Sequence, residues 1–432
     1  MNAADTAWVL GCAGLVMFMT PGLALFYGGM VRARSVLNTI ALTVACLGVV
    51  AVIWVAYGYS LSFGGDAGGL IGGRSGAGLA GTAAALTGPA GHRIPVLALA
   101  SFQLMFAVIT VALLAGVVAE RTRFWPWLVF VAAWVTIVYL PLAHWVFDPG
   151  GWLVSRLHVL DFAGGTVVEV NSGAAALALA LVVGRRRGWP RDPGRPHNLL
   201  AVTLGAGILW FGWFGFNAGS ALAADGLAAT AFLNTMLAGG TGMLGWLAVE
   251  QRRDGKPTTL GLASGAVAGL VGITPACGFV QPVPGALTGL AAGAAAALAV
   301  RLKYRFGFDD SLDVVAVHGV GGLTGMLLTG LLATTSVNAL GADGLFYGGG
   351  LAQPGRQALA VLVTIAWSFG LTFAIARVIE RVMGLRVPAG AELAGIDEAE
   401  HAETAYDHGM FAGTGHAGHG AHPADPDRPG YA

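Results

Sequence analysis

Eleven stretches of this chain stay apolar for about as long as a helix needs to cross a lipid bilayer, roughly 20 residues. They fall at 7–31, 38–62, 95–119, 125–144, 163–184, 198–222, 227–249, 258–277, 284–300, 312–334 and 357–382. Of 432 residues, 56% are hydrophobic and 11% charged, against about 25% charged in an ordinary soluble domain. Water is not the main solvent of such a chain. The 68 glycines follow no G-X-Y period and lie largely in the apolar runs, where small residues let helices approach closely in lipid. The segment 63–94 is rich in Gly and carries Arg74 and Arg93, so it reads as a loop. Residues 1–8 hold Asp5 and no Lys or Arg, whereas a secretory signal peptide opens on positive charge. The first run therefore reads as a retained helix.

Orientation follows from where positive charge sits, because Lys- and Arg-rich loops stay in the cytoplasm. With the N-terminus outside, nineteen of the 23 Lys and Arg fall on the inner side, and only Arg74, Arg93, Arg156 and Arg356 fall outside. The expected fold is an all-α integral membrane protein of eleven transmembrane helices with the N-terminus out and the C-terminus in. Its domains are a membrane unit over 1–385 and a cytoplasmic tail over 386–432, disordered beyond about 407 because of its Gly, Pro and His content.

Helices five and ten echo each other. Asp161 is followed eight residues later by Glu169 and then by Gly173; Asp310 is followed eight residues later by His318 and then by Gly322. Two five-helix halves, 1–5 and 6–10, must enter the membrane in opposite senses, the inverted-repeat plan that puts a transport site near the midplane. Eight helical residues rise about 12 Å, so Glu169 counted from one face and His318 from the other meet within about 6 Å in depth across a core about 30 Å thick. An ionisable group at that depth is costly and marks function by default, with a partner. Glu169 and His318 read as a hydrogen-bonded pair lining a pore; the alternative is a structural tie between two helices.

Asp161 is placed to cap helix five through the N–H groups of Gly164 or Gly165, and as an outward carboxylate it could also attract cations. Phe102 and Phe106 lie one turn apart on a shared face, and Phe216 sits in WFGFNAGS. Aromatic rings can simply pack, or can receive a cation that is shedding water. Ser220 offers a hydroxyl acceptor, unless it bonds to its own helix. Cys12, Cys46 and Cys277 are widely spaced packing residues that make neither a disulfide framework nor a metal cluster. HGVGG at 318–322 lies inside an apolar helix, which rules out a phosphate loop, and His416, His419 and His422 read as part of a floppy tail rather than a metal site. No cofactor and no enzymatic centre is expected, and a formal net charge of zero gives nucleic acid nothing to bind.

Several motifs occur together and in order: FQLMFAVITVALLAGVVAER at 102–121, DFAGGTVVEVNSGAA at 161–175, WFGFNAGS at 213–220, GLVGITPACG at 269–278, DDSLDVVAVHGV at 309–320, and GLRV at 384–387 with AY at 405–406. As a set they resemble the Amt/Mep/Rh ammonium transporters, and FNAGS with GLRV resembles the Amt/Mep branch. The resemblance implies ammonium transport through a hydrophobic pore, a homotrimer in the cytoplasmic membrane, and a PII-type nitrogen regulatory protein as a partner at the tail. It also implies roles. Phe106 and Phe216 match the stacked gate; Phe102 and Ser220 match the recruitment site; Asp161 matches the vestibule carboxylate; His318 matches the second of two pore histidines. Two positions depart from the pattern: Glu169 stands where the first histidine is usual, as in some fungal members, and Phe147 stands where the vestibule tryptophan is usual. The alternatives are an ammonium sensor signalling through its tail, or a channel for another small neutral gas.

Overall fold

The computed structural model describes residues 1–192 and 194–406. The histidine-rich segment of the tail and the disorder expected beyond 407 lie outside the described residues.

Among the described residues, ten helices are long and apolar enough to cross a membrane: α1 Ala3–Met30, α2 Ala33–Phe63, α3 Val96–Val118, α4 Phe124–Ser155, α5 Gly165–Val183, α6 Leu199–Gly219, α7 Gly226–Asp254, α9 Pro282–Phe306, α10 Val315–Leu332 and α11 Ala352–Val382. The remaining expected span, 258–277, is a shorter apolar helix, α8 Thr259–Ile273. Thr274–Val280 follows it as turns, where Pro275 lacks a donor and Gly278 lies close against the ring of Phe162. α4 runs past the expected end at 144, and α10 starts three residues later than expected.

Four of the helices begin on side-chain caps. Asn2, Asn198, Asp225 and Thr258 accept hydrogen bonds from the first-turn N–H groups of α1, α6, α7 and α8. Polar side chains within the bundle are met locally, since lipid offers them nothing. Thr39, Thr43 and Thr110 donate to carbonyls four residues back, and the indoles of Trp54 and Trp127 donate to the carbonyls of Ala100 and Leu42.

α1 packs along α6, α7 along α8 and α9, and α5 against both α10 and α11. The segment between α2 and α3 is irregular apart from a 3-10 turn at Ala77–Leu79 and a two-residue pairing of Leu86–Thr87 with Ile94–Pro95. The Arg-rich connections share one face with the chain after α11. There α12 Ala389–Ala394 and α13 Ile396–His401 follow. Arg386 makes a two-toothed pair with Glu392, whose carboxylate also accepts the Arg187 N–H. Asp397 caps α2 through the N–H groups of Leu37 and Asn38 at 3.0 and 2.8 Å, and Tyr406 meets His197 at 2.7 Å. Beneath this layer, fully buried Asp309 holds Arg186 at 2.9 Å and lies 3.7 Å from Arg121. Burial pushes the Asp309 carboxyl up, but the hydrogen bonds and charge of the two arginines outweigh it and hold the group below the ordinary carboxylate range.

Candidate functional site

Both echo helices open on a wide, π-helical turn, Gly165–Val170 in α5 and Val315–Val320 in α10. Such turns re-aim side chains and are frequent at functional sites. Glu169 lies in the first and His318 in the second. The two helices cross on glycine: a Cβ at Gly173 would lie 2.1 Å from the Cα of Gly319, and one at Gly322 would lie 2.7 Å from the Cβ of Glu169. With backbones in contact, Glu169 Oε2 reaches His318 Nδ1 at 2.7 Å. Their exposures are 1% and 4%, so neither charge is relieved by bulk water and each depends on the other.

This pair borders a mostly apolar cavity, shared with Tyr27, Trp213, Phe216 and Ser264. Phe216 closes one end, stacked on Phe106 at 4.1 Å and 16°. Phe102 packs on Phe106 at 4.9 Å, and Phe147 meets Phe106 edge-on at 5.9 Å. Phe102, Phe106 and Phe216 are fully buried. The four rings form one continuous cluster on the side of the cavity away from the Arg-rich face.

The Ser220 hydroxyl donates to the Phe216 carbonyl of its own helix at 2.8 Å, the local bond weighed above, which still leaves its oxygen free to accept. Asp161 lies four residues before α5 rather than at its start. Its carboxylate accepts the N–H groups of Gly164, Gly165 and Thr166 at 2.8, 2.6 and 2.7 Å, and the Thr166 hydroxyl as well. Both expected donors, Gly164 and Gly165, are among these four. Cys12, Cys46 and Cys277 are buried and unpaired with one another.

Sequence reasoning missed several groups. Tyr27 and Trp213 reach the cavity, and their polar atoms are already engaged, with the Leu113 carbonyl and the Thr274 hydroxyl. At the outer rim of the ring cluster, one turn before Phe147, His144 is fully buried. Its Nδ1 lies 2.9 Å from the Ser62 carbonyl and its Nε2 3.1 Å from Asp66. The Gly69 N–H and the His144 ring hold the Asp66 carboxyl below its ordinary range. His144 stands in an apolar run, a signal available in the sequence; its partner Asp66 sits in a glycine-rich loop that predicts nothing by pattern.

Residues 7–406 match the sequence pattern of the Ammonium Transporter Family. A protein named ammonium transporter from Mycobacterium tuberculosis is 50% identical, over 96% of this chain and 92% of its own length. The crystal structure of Candida albicans Mep2 superposes with a TM-score of 0.83 at 36% identity, over 90% of this chain and 87% of that one. A structure described as Sensor Amt Protein superposes with a TM-score of 0.83 at 30% identity, over 92% and 98%. The apolar helices and these relatives make this a multi-pass membrane protein, and the chain belongs to the ammonium transporter family.

Proposed function

We propose that this protein moves ammonium across the cytoplasmic membrane by stripping it of water and a proton in turn. One observation carries the reading: a buried acid–base pair 2.7 Å apart lines an apolar cavity that is closed by stacked phenylalanines. The N-terminus faces out and the Arg-rich face lies inside, in keeping with the positive-inside rule. Ammonium is recruited in the vestibule bounded by Phe102, Phe147 and Ser220, where ring faces favour a cation that is losing its hydration. Asp161 shapes that vestibule as the cap of α5. At Phe106 and Phe216 only a dehydrated species passes. Below them the Glu169–His318 pair takes up a proton, and ammonia crosses the apolar remainder, where a bare cation would be costly. Potassium matches ammonium in size and charge but has no proton to give, so the same device excludes it. The functional unit is a homotrimer with a pore in each subunit, and a PII-type regulator at the tail fits the layer of contacts on the inner face.

The test is ammonium flux and current measured together on purified protein in liposomes, with potassium as control. Ammonium-dependent flux with current and without potassium supports the reading. Flux without current points instead to a channel for a neutral gas. A second reading, ammonium sensing through the tail, draws support from the likeness to the Sensor Amt Protein and from the tail's bonds to α2. An ammonium-dependent change in tail accessibility without flux would favour it.

A further inference from the structure

Of the four clustered rings, Phe102, Phe106 and Phe216 are fully buried, and Phe147 is the one that solvent reaches. Phe147 is also the last residue of the continuous part of α4. Asp148 turns to extended backbone, and the chain folds back so closely that a Cβ at Gly151 would lie 2.1 Å from the His144 carbonyl oxygen. A side chain on a final turn has no following turn to pack on, so its ring stands wherever that turn is held. Here the ring lies between Phe106, 5.9 Å away and edge-on, and the turn before α5, where a Cβ at Gly164 would lie 3.2 Å from Phe147 Cζ.

Two side chains of the final turn reach across to the end of α2 and the loop after it. The Trp145 indole donates to the Leu70 carbonyl at 2.7 Å. His144, fully buried, has Nδ1 at 2.9 Å from the Ser62 carbonyl and Nε2 at 3.1 Å from Asp66 Oδ1. Both of these partners are acceptors. A neutral imidazole has one N–H and turns a lone pair toward the other oxygen, so the doubly protonated ring is the form that satisfies both contacts. The Asp66 side chain is 40% exposed, which gives the buried ring a path to outer water for that proton. The other charged groups nearby are Asp148 and Arg156 at the end of α4 and Tyr59 in α2. A Cβ at Gly150 would lie 3.0 Å from Asp66 Cβ and 3.1 Å from Asp148 Oδ1; Arg156 is within Coulombic reach of Asp66, and Tyr59 of Asp148. α5 packs on the same turn of α4, but its titratable group there, Glu169, is turned to His318.

We infer that the Asp66–His144 pair is a positioning element of the outer vestibule: with the imidazole doubly protonated it fixes the final turn of α4 and so holds the Phe147 ring beside Phe106, where ammonium is taken up. This rests on the transport reading above. His144 and Asp66 act through Phe147 and not on the substrate. The proton is exchanged with outer water along the exposed edge of Asp66. When outer pH rises and the ring gives that proton up, the contact with Asp66 opens, Trp145 keeps the turn from coming away, and Phe147 is held less firmly. Affinity for ammonium then falls, whereas the rate at saturation is set further in, at the gate and the Glu169–His318 pair.

The experiment measures ammonium-evoked current of the full chain in liposomes at fixed inner pH, and reads KM and saturating current at outer pH of about 6 and about 8, a range over which imidazoles change charge. Wild-type KM should be about 5-fold lower at the more acidic pH, the scale of one hydrogen bond to a partly solvated charged group. Asp66→Asn keeps an acceptor for the Gly69 N–H but has no charge to hold the imidazolium. It should raise KM at about pH 6 by about 5-fold, flatten its pH dependence, and leave saturating current at each pH as in the wild type; Asp66→Glu should restore the dependence in part. Phe147→Leu should also raise KM and flatten its pH dependence, and adding Asp66→Asn to it should raise KM no further, since each change removes the same positioned ring. A carboxylate that merely attracts cations would give additive losses instead. Buried His144 stays in place in every variant, so the fold is not what is tested. Should Asp66→Asn fail to accumulate, the flattened pH dependence of Phe147→Leu decides. A wild-type KM that ignores outer pH, an unchanged KM in Asp66→Asn, or additive losses in the double variant overturns this inference alone. A wild type with no ammonium-evoked current overturns the transport reading and this one with it.

Discussion

Replacing Glu169 by Gln removes a proton acceptor and little else. The amide has the size of the carboxyl, and its oxygen can still accept from His318 at the 2.7 Å separation seen for the pair. Exchanging a charge-assisted bond for a neutral one costs about 1 kcal/mol of fold stability, and the glycine crossing that sets the helix spacing is untouched. Losing a positioned general base costs about 100-fold or more in rate, about 2.7 kcal/mol in the barrier. Glu169→Gln should therefore accumulate and melt nearly as the wild type does, while its ammonium-evoked current in liposomes falls about 100-fold or potassium begins to pass. Glu169→His returns a titratable acceptor and should retain transport. Unchanged current and unchanged potassium exclusion in the Gln variant would refute the proton relay and leave Glu169 as a tie between α5 and α10.

Phe216→Leu keeps bulk but removes the ring face stacked at 4.1 Å on Phe106; if about 2 kcal/mol of desolvated cation–ring attraction is lost, flux should drop about 30-fold, and wild-type flux would demote the residue to packing. Deleting 408–432 should leave liposome flux intact, whereas deleting from Arg386 strips the Glu392 and Asp397 contacts from the inner face and should lower flux or free it from regulation; equal behaviour of the two truncations would show this division of the tail to be wrong. Asp309→Asn leaves buried Arg186 and Arg121 short of a counter-charge and should cost about 3 kcal/mol in thermal unfolding. Because the folded Asp309 carboxyl is held low, that deficit should be full above the ordinary Asp value of about 4 and shrink as pH falls through the lower folded value; a deficit that grows in acid would contradict the pairing.

The spans were legible because a membrane helix needs a long apolar run; among the described residues ten of the eleven expected are long and apolar enough to cross, and the other is the shorter Thr259–Ile273. Their ends were less so. Reading α4 as stopping at 144 fell one turn short: the helix runs on to Phe147 and, after a break, resumes over Trp152–Ser155, with the His144 imidazole met by the Ser62 carbonyl of α2 and by Asp66 of the loop that follows. The Asp-x7-Glu and Asp-x7-His echo foretold that Glu169 and His318 would meet in depth. It could not reveal the π-helical turns that aim them, since one extra residue in a turn leaves no mark on hydrophobic periodicity.

The crossing of α5 and α10 has a consequence for how such a protein can change. Backbone touches backbone at Gly173 and Gly319, so the spacing of α5 and α10 at that depth is fixed by main-chain radii and not by any side chain that could be repacked. Positions 169 and 318 can then exchange one titratable group for another without moving the two helices apart. Proton chemistry and helix spacing become separately heritable traits: a single substitution can retune the first, while an added methyl group at Gly173 would disrupt the second.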